Sequence, residues 1–471
     1  MNIWITKTPA QIEEAASHTQ LKKNLTAVDL AALGIGSVVG TGIFVATGQG
    51  AQLAGPGILL SFIIAAVTCG FCALTYSELA CMFPVAGSTY SYSYVAFGEV
   101  IAWIIGWDLM LEYLVAASAV ASGWSTTFIG LIQSAGVKLP KAFLTPPITT
   151  VDGRIVLSGG IVDVPAIVIT LLITWILYIG IRESAKINNI IVLVKIAVIL
   201  LFVFLGVRHI NLANLHPMMP FGWKGVMAGA AIIFFAYIGF DAVSTAAEET
   251  KNPKRDVPLG LMLCLGVVIV LYVSVAFVLT GIVPYKLIDV GNALPAALGR
   301  IGIQWGGALV ATGAIIGMIS TLLVTLYGQI RIFMVMARDG LLPAAFAKVH
   351  PKHQTPHICT WITGIATAII AGLFPLPMII DLCNIGTLFA FILVSAGVVV
   401  LRKTRPEVER KFKTPGVPFT PLITIIFCFY LMYSLPKITW IRFGVWMLAG
   451  LAIYFMYGAR HSKLQKPAAG N

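Results

Sequence analysis

Gly34-Ile-Gly-Ser-Val-Val-Gly-Thr-Gly42 places four glycines in nine residues inside an apolar run. Glycine costs a helix interior about 1 kcal/mol relative to alanine, so the stretch reads as a helix that breaks. A later run carries Phe234-Phe-Ala-Tyr-Ile-Gly-Phe-Asp241, a second interruption that ends on an acid. An unwound segment frees backbone N–H and C=O groups, which a bilayer tolerates only where they are buried in protein or line a cavity. Half-helix N-termini then offer N–H groups to an anion, and half-helix C-termini offer carbonyls to a cation. A zwitterion with a carboxylate and an ammonium satisfies both. Taken alone, Gly36-x-x-x-Gly40 reads as helix packing. Gly34-x-Gly36 lacks the strand and third-glycine spacing of a dinucleotide loop. The matching interruption in the later run tips the reading toward a binding site.

Apolar runs long enough to cross a bilayer lie near 28–52, 56–82, 100–132, 163–181, 188–207, 224–247, 258–283, 306–330, 358–374, 378–401, 419–435 and 439–458. A span needs about 20 apolar residues, so the chain reads as an all-α polytopic membrane protein of about twelve transmembrane helices. The composition agrees: 58% hydrophobic and 11% charged, against roughly 25% charged in soluble domains. The two breaks fall in spans one and six. These are corresponding positions if the first ten spans are two five-helix halves, the pattern of an inverted-repeat secondary transporter. The organisation expected is a tail at 1–25, a ten-helix transport core at 26–401, and two further helices with a tail at 402–471.

Most of the 31 Lys and Arg residues fall in loops on one side if the N-terminus is inside. By the positive-inside rule both termini are then cytoplasmic, in a multi-pass protein of the cell membrane. This bias accounts for the net charge of +12 without a nucleic-acid partner. The first 25 residues hold Glu13, Glu14, Lys22 and Lys23 and no signal-peptide pattern. The longest outside loop, about Gln133 to Asp163, contains Arg154-Ile-Val-Leu, a candidate short strand, and reads as an external cap. All seven cysteines lie in or beside apolar runs and read as packing residues, Cys69-Gly-Phe-Cys72 included. His350, His353 and His357 fall in a loop with Pro351 and Pro356 and read as a solvated basic segment, not a metal site. No Walker motif or clustered catalytic triad is present, which argues against an ATP-driven pump or an enzyme. No cofactor is implied.

Several motifs in order carry a resemblance over nearly the whole chain. They are Gly34 to Phe44, then Tyr76-Ser-Glu-Leu-Ala-Cys-Met-Phe-Pro-Val-Ala-Gly-Ser-Thr-Tyr-Ser-Tyr92, Phe234 to Asp241, Thr245-Ala-Ala-Glu-Glu-Thr-Lys-Asn-Pro253 and Ala337-Arg-Asp-Gly-Leu-Leu-Pro343. The chain resembles the amino acid–polyamine–organocation superfamily and, within it, the cationic amino acid transporter family. Gly87-Ser88 stands where many superfamily members have two glycines. The resemblance implies the five-plus-five, LeuT-like fold and alternating access, with no covalent chemistry. It implies import of L-amino acids by proton symport, the partners being the amino acid, protons and the lipid bilayer. It further implies that the substrate carboxylate meets N–H groups at Gly40, Thr41 and Gly42. The ammonium meets carbonyls near Val38, Phe235, Ala236 and Ile238, and Phe235 closes the site as an aromatic gate.

Charges at mid-membrane cost about 2.5–3.5 kcal/mol, so Lys195, Asp108, Glu112 and Asp241 invite functional readings. Lys195 is about two turns into span five, roughly 10 Å. Snorkelling to water is its plain alternative. The resemblance implies that it replaces a coupling sodium ion, bonding carbonyls near Gly36–Val39 and Ser320 or Thr321. Asp241 is expected to shape the site by accepting a proton, orienting the ammonium, or bonding N–H groups of the break. Asp108 and Glu112 share a helix face. Glu112 is a candidate pathway acid, and both residues are equally readable as structural. Glu78, Glu248, Glu249, Lys254 and Arg255 read as a solvated interface with ion pairs. Met318, beside Gly317 and Ser320, is a candidate for filling a neutral side-chain pocket. The alternatives left open are an amino acid exchanger, a specifically cationic carrier and a membrane sensor for amino acids.

Overall fold

The computed structural model describes residues 2–8, 11, 25–83, 88–151, 154–180, 185–353 and 355–465, without the side chains of 150, 151, 154, 185–187, 245 and 248. Gly87, Arg182, the acids and lysines at 13–23, and the side chains of Lys186 and Glu248 lie outside the described residues.

The chain is mostly helical. Among the described residues, eight helical stretches are long and apolar enough to cross a membrane, and four shorter apolar helices accompany them. The first begins at a capping box: Thr26 N donates to Asp29 Oδ2 (2.9 Å), and Asp29 N donates to Thr26 Oγ1 (3.4 Å), satisfying N–H groups that a helix start leaves open. The helix, α1 (Ala27–Val38), stops at Val39, whose backbone is extended (φ −75°, ψ 98°). A π-turn, Gly42–Ala46, resumes it and leads into α2 (Thr47–Ala54). Then follow α3 (Ile58–Met82), α4 (Ser88–Ala96) and α5 (Glu99–Ser134).

The segment between α5 and the next helix carries a two-stranded antiparallel hairpin, β1 (Ile148–Val151) and β2 (Arg154–Leu157), with Ile148 opposite Leu157. Two helices follow it, α6 (Val164–Tyr178) and α7 (Ala185–Val207). The sixth apolar run forms α8 (Gly222–Ile233), a 3-10 turn at Phe234–Tyr237, an extended Ile238 (φ −61°, ψ 138°), and the short α9 (Ala242–Thr245). Gly239 sits between them at φ +110°, a conformation open to glycine and costly to other residues. The chain continues through α10 (Pro253–Ile282), α11 (Ala293–Arg300), α12 (Gln304–Arg338), α13 (His357–Leu373), α14 (Leu376–Thr404), α15 (Phe419–Tyr433) and α16 (Lys437–Ile453).

The core lies where α1, α3, α8, α10, α12 and α14 meet, with Phe44, Phe62, Tyr76, Tyr237 and Tyr272 fully buried. Apolar side chains point outward from α7 (Ile190, Leu193, Leu200, Phe204) and α15 (Leu422, Ile426, Phe429). In water such stripes would be costly; in lipid they are the solvated face. All seven cysteines are buried free thiols.

Both described chain ends reach one face of the molecule. There the N-terminal segment supplies carbonyls to the open start of α5: Glu99 N donates to Ile5 O (3.0 Å) and Val100 N to Ile3 O (3.1 Å). Lys7 Nζ lies 2.7 Å from both Asp339 carboxylate oxygens. The buried Glu99 carboxylate accepts from Tyr94 (2.7 Å), Tyr454 (2.9 Å), Gln465 (2.6 Å) and Ser462.

Glu78 differs from the solvated reading. It is fully buried and held by Arg402 Nε and Nη2 (2.9 and 2.7 Å), by Thr414 N (2.7 Å) and by Arg410 (3.5 Å). Sequence proximity to a helix end hid this, because its partners stand more than 300 positions away. His350, His353 and His357 pack ring to ring at 4.9 and 5.3 Å, with His350 and His353 also against Tyr178. This histidine loop is therefore partly tied to α6.

Removing one partner of a buried ion pair costs about 3–5 kcal/mol, because the other charge is stranded. Glu78→Ala should therefore lower the thermal midpoint of the detergent-solubilised protein well below wild type. The exposed Glu409, paired with Lys254 at 3.1 Å, should tolerate the same change with little shift, as surface pairs contribute little.

Candidate functional site

The two breaks face each other. A Cβ placed on Gly42 would lie 2.3 Å from Ala236 Cα, and one on Gly239 would lie 2.7 Å from Ser37 Oγ. The backbones of the first and sixth runs therefore touch where both lose regular helix. Val38, Gly40, Thr41, Gly42, Phe235 and Ala236 are all buried there, and Ile238 is half-buried.

Carbonyls around the breaks have named donors. Gly36 O accepts from Lys195 Nζ at 2.5 Å, and the same ammonium donates to Thr321 Oγ1 at 2.9 Å. Lys195 is fully buried, so its side chain runs inward to α1 and α12 and does not snorkel. Gly317 makes room for it: a Cβ there would meet the lysine methylenes at 2.9 to 3.4 Å. Thr321 Oγ1 also lies 3.4 Å from Val39 O. Val38 O accepts from Tyr272 Oη (3.1 Å). On the α8 side, Asn384 Nδ2 donates to Ala231 O (2.7 Å) and reaches Ile232 O (3.4 Å).

Thr41 donates to Met318 Sδ at 3.3 Å, so the methionine closes one wall of the glycine break. Gly123 on α5 forms another wall: a Cβ there would lie 2.3 Å from Thr41 Cγ2. Asp241 is 4% exposed, and its carboxylate bonds the backbone amides of Gly239, Asp241 and Ala242. It thus ties up N–H groups freed at the start of α9. Glu112 is 4% exposed, bonds Thr387 and leaves one oxygen without a partner.

The structure therefore brings Lys195, Thr321, Met318, Asp241 and both glycine-bearing breaks into one buried region. Asp108 and Glu112 lie on the α5 face toward α14, without a cation in ion-pair reach among the described residues. Three contributors escaped the sequence reading: Tyr272, Gly123 and Asn384. The signals were faint. Asn384 is the amide inside the run 378–401, and Gly123 ends the small-residue stretch Ala116-Ala-Ser-Ala-Val-Ala-Ser-Gly123. A lone Tyr272 in an apolar run carries no mark of its partner.

Chemically, the region gathers backbone polar groups of both signs in closely packed, largely apolar surroundings, with one buried ammonium beside them. The family model described as amino acid permease matches residues 25–459. The branched-chain amino acid permease BcaP of Bacillus subtilis (strain 168) is 46% identical, over 97% of this chain and 97% of its own length. The methylthioribose transporter of the same organism is also 46% identical, over 98% of this chain and 99% of its own. The vacuolar cationic amino acid transporter 4 of Arabidopsis thaliana is 37% identical, over 82% of this chain and 64% of its own.

Gly42→Ala tests the contact between the breaks. Its methyl would meet Ala236 backbone, which cannot swing aside as a side chain can. Uptake should fall at least about tenfold, equivalent to roughly 1.4 kcal/mol, with normal amounts in the membrane. Wild-type uptake by this variant would show that the contact is dispensable.

Proposed function

We propose that this chain, which belongs to the amino acid permease family, imports neutral L-amino acids together with protons by alternating access. The observation that carries the reading is the Lys195 ammonium, fully buried and bonded to Gly36 O and Thr321 Oγ1. A buried charge is expensive, and here it reaches from α7 to a carbonyl of the broken helix. It links α7 and α12 to the first break, so a change in its protonation is felt where the substrate binds.

Substrate recognition follows from the breaks. The carboxylate meets the N–H groups of Gly40, Thr41 and Gly42 at the start of the resumed helix. The ammonium meets carbonyls of Val38, Phe235, Ala236 and Ile238, and Phe235 closes the site. A neutral side chain is favoured because apolar Met318 packs on Thr41 at the glycine break. Asp241, engaged with backbone amides, has little capacity left for a cationic side chain. The branched-chain permease is similar over nearly its full length. Glu112 lines the pathway as its acid. The overall scheme is twelve spans, ten of them a five-plus-five inverted repeat, with both termini cytoplasmic. Convergence of the two described chain ends on one face supports an even number of crossings.

One proton crossing 100 mV supplies about 2.3 kcal/mol, enough for roughly fortyfold accumulation. The equal likeness to a methylthioribose transporter supplies the rival substrate, a neutral thioether sugar.

In proteoliposomes, uptake of a branched-chain amino acid should rise with an inward proton gradient and ignore sodium. Methyl esters and des-amino analogues should compete poorly. Strong competition by methylthioribose, with none by amino acids, would overturn the assignment of the breaks to a zwitterion. Lys195→Met should lose gradient-driven accumulation while keeping some exchange. Accumulation by that variant on protons alone would remove Lys195 from the coupling.

A further inference from the structure

We propose that Asp108 is a second proton-holding group of the transport cycle, exchanging a proton with Glu112 in a notch that Gly386 opens between α5 and α14. The proposal rests on the proton-coupled reading above.

Asp108 is completely buried, and neither carboxylate oxygen has a hydrogen-bond partner among the described residues. Glu112 stands one turn away on the same helix face, about 6 Å along the axis, and one of its oxygens is likewise without a partner. Gly386 of α14 packs against both. A Cβ on it would lie 2.9 Å from Asp108 Oδ1 and 3.9 Å from Glu112 Cβ. The space beside the Asp108 carboxyl is therefore one that glycine leaves open and alanine would fill.

The charged and titratable surroundings are sparse. The helix itself contributes Glu112 and Tyr113, and α3 contributes Tyr76 beside Glu112. From α14 comes Cys383, whose Sγ lies 3.8 Å from Glu112 O. Beyond Glu112 lies Asp241 at the second break. From α12, Arg331 is stacked over the Tyr327 ring at 4.7 Å and forms no ion pair with either acid. Two carboxyls this close in hydrocarbon, with no cation in reach, cannot both keep their charge. A metal ion would need more oxygen donors than this notch gathers. A proton needs one.

The step balances simply. The O–H bond of Glu112 breaks, a proton crosses, and an O–H bond forms on the Asp108 carboxylate. Neither Asp108 oxygen is within hydrogen-bond reach of Glu112, so the step requires the two side chains to rotate toward each other in the notch, and only the proton changes owner. Asp108 is nearer the Glu99 end of α5 than Glu112 is. That end belongs to the face where the described chain ends converge. The pair thus leads from the substrate region toward that face. A purely packed position has no use for an acid here, since burial of its polar atoms is uncompensated.

The test uses the full chain in proteoliposomes. Asp108→Asn keeps size and polarity but cannot exchange a proton. Infrared titration without substrate or gradient should lose one protonated-carboxyl band. Proton-driven accumulation should fall at least about tenfold more than counterflow exchange does, and Asp108→Glu should restore it. Gly386→Ala, which adds no titratable group, should depress accumulation in the same selective way, and it stands in if the Asn variant fails to fold. An intact carboxyl band, or equal losses of accumulation and counterflow, overturns the proposal. A wild type that follows the proton gradient beside an unaffected Asp108→Asn overturns this proposal alone. A wild type that ignores the gradient overturns the coupling reading and this one with it.

Discussion

A helix that breaks inside hydrocarbon must find a donor for every carbonyl it frees, and the rest of this structure is arranged around that demand. Each unsatisfied group would cost several kcal/mol in lipid. Lys195 and Thr321 serve Gly36, Tyr272 serves Val38, and Asn384 serves Ala231 and Ile232. The donors come from α7, α12, α10 and α14. The broken segments are thus held by four helices that do not themselves unwind.

The same demand explains the small residues. Donors can reach the backbone only if nothing larger stands in the way. Gly317 leaves space for the lysine stem, Gly123 for the Thr41 methyl, and Gly42 for the backbone of Ala236. Their common feature is close approach at one shared depth. It is distinct from the permissive backbone angle that Gly239 needs.

Charge is spent differently in two regions. At the face carrying the chain ends, acids are fully served: the buried Glu78 by two arginines, the buried Glu99 by four side-chain donors, and the half-buried Asp339 by Lys7 and Tyr90. Such satisfied networks fix one arrangement of helix ends. Along the α5–α14 contact, Asp108 and Glu112 are left without such partners. The contrast separates acids whose oxygens are served by donors from acids whose oxygens are not.

The sequence by itself determined where the apolar runs lie and where two of them break, because periodic burial and glycine clustering are local properties. Even the outer strand at Arg154–Leu157 was legible from four residues. The residues lying at the breaks were legible for the same reason. Partnerships were not. Glu78 could be placed near a helix end, but its burial depends on Arg402 and Thr414, far along the chain. Tyr272 and Asn384 look like ordinary occupants of apolar runs until a carbonyl from another helix meets them. Only tertiary structure decided these, since a hydrogen bond between helices depends on rotation and depth at once, and neither is written in the composition of one run.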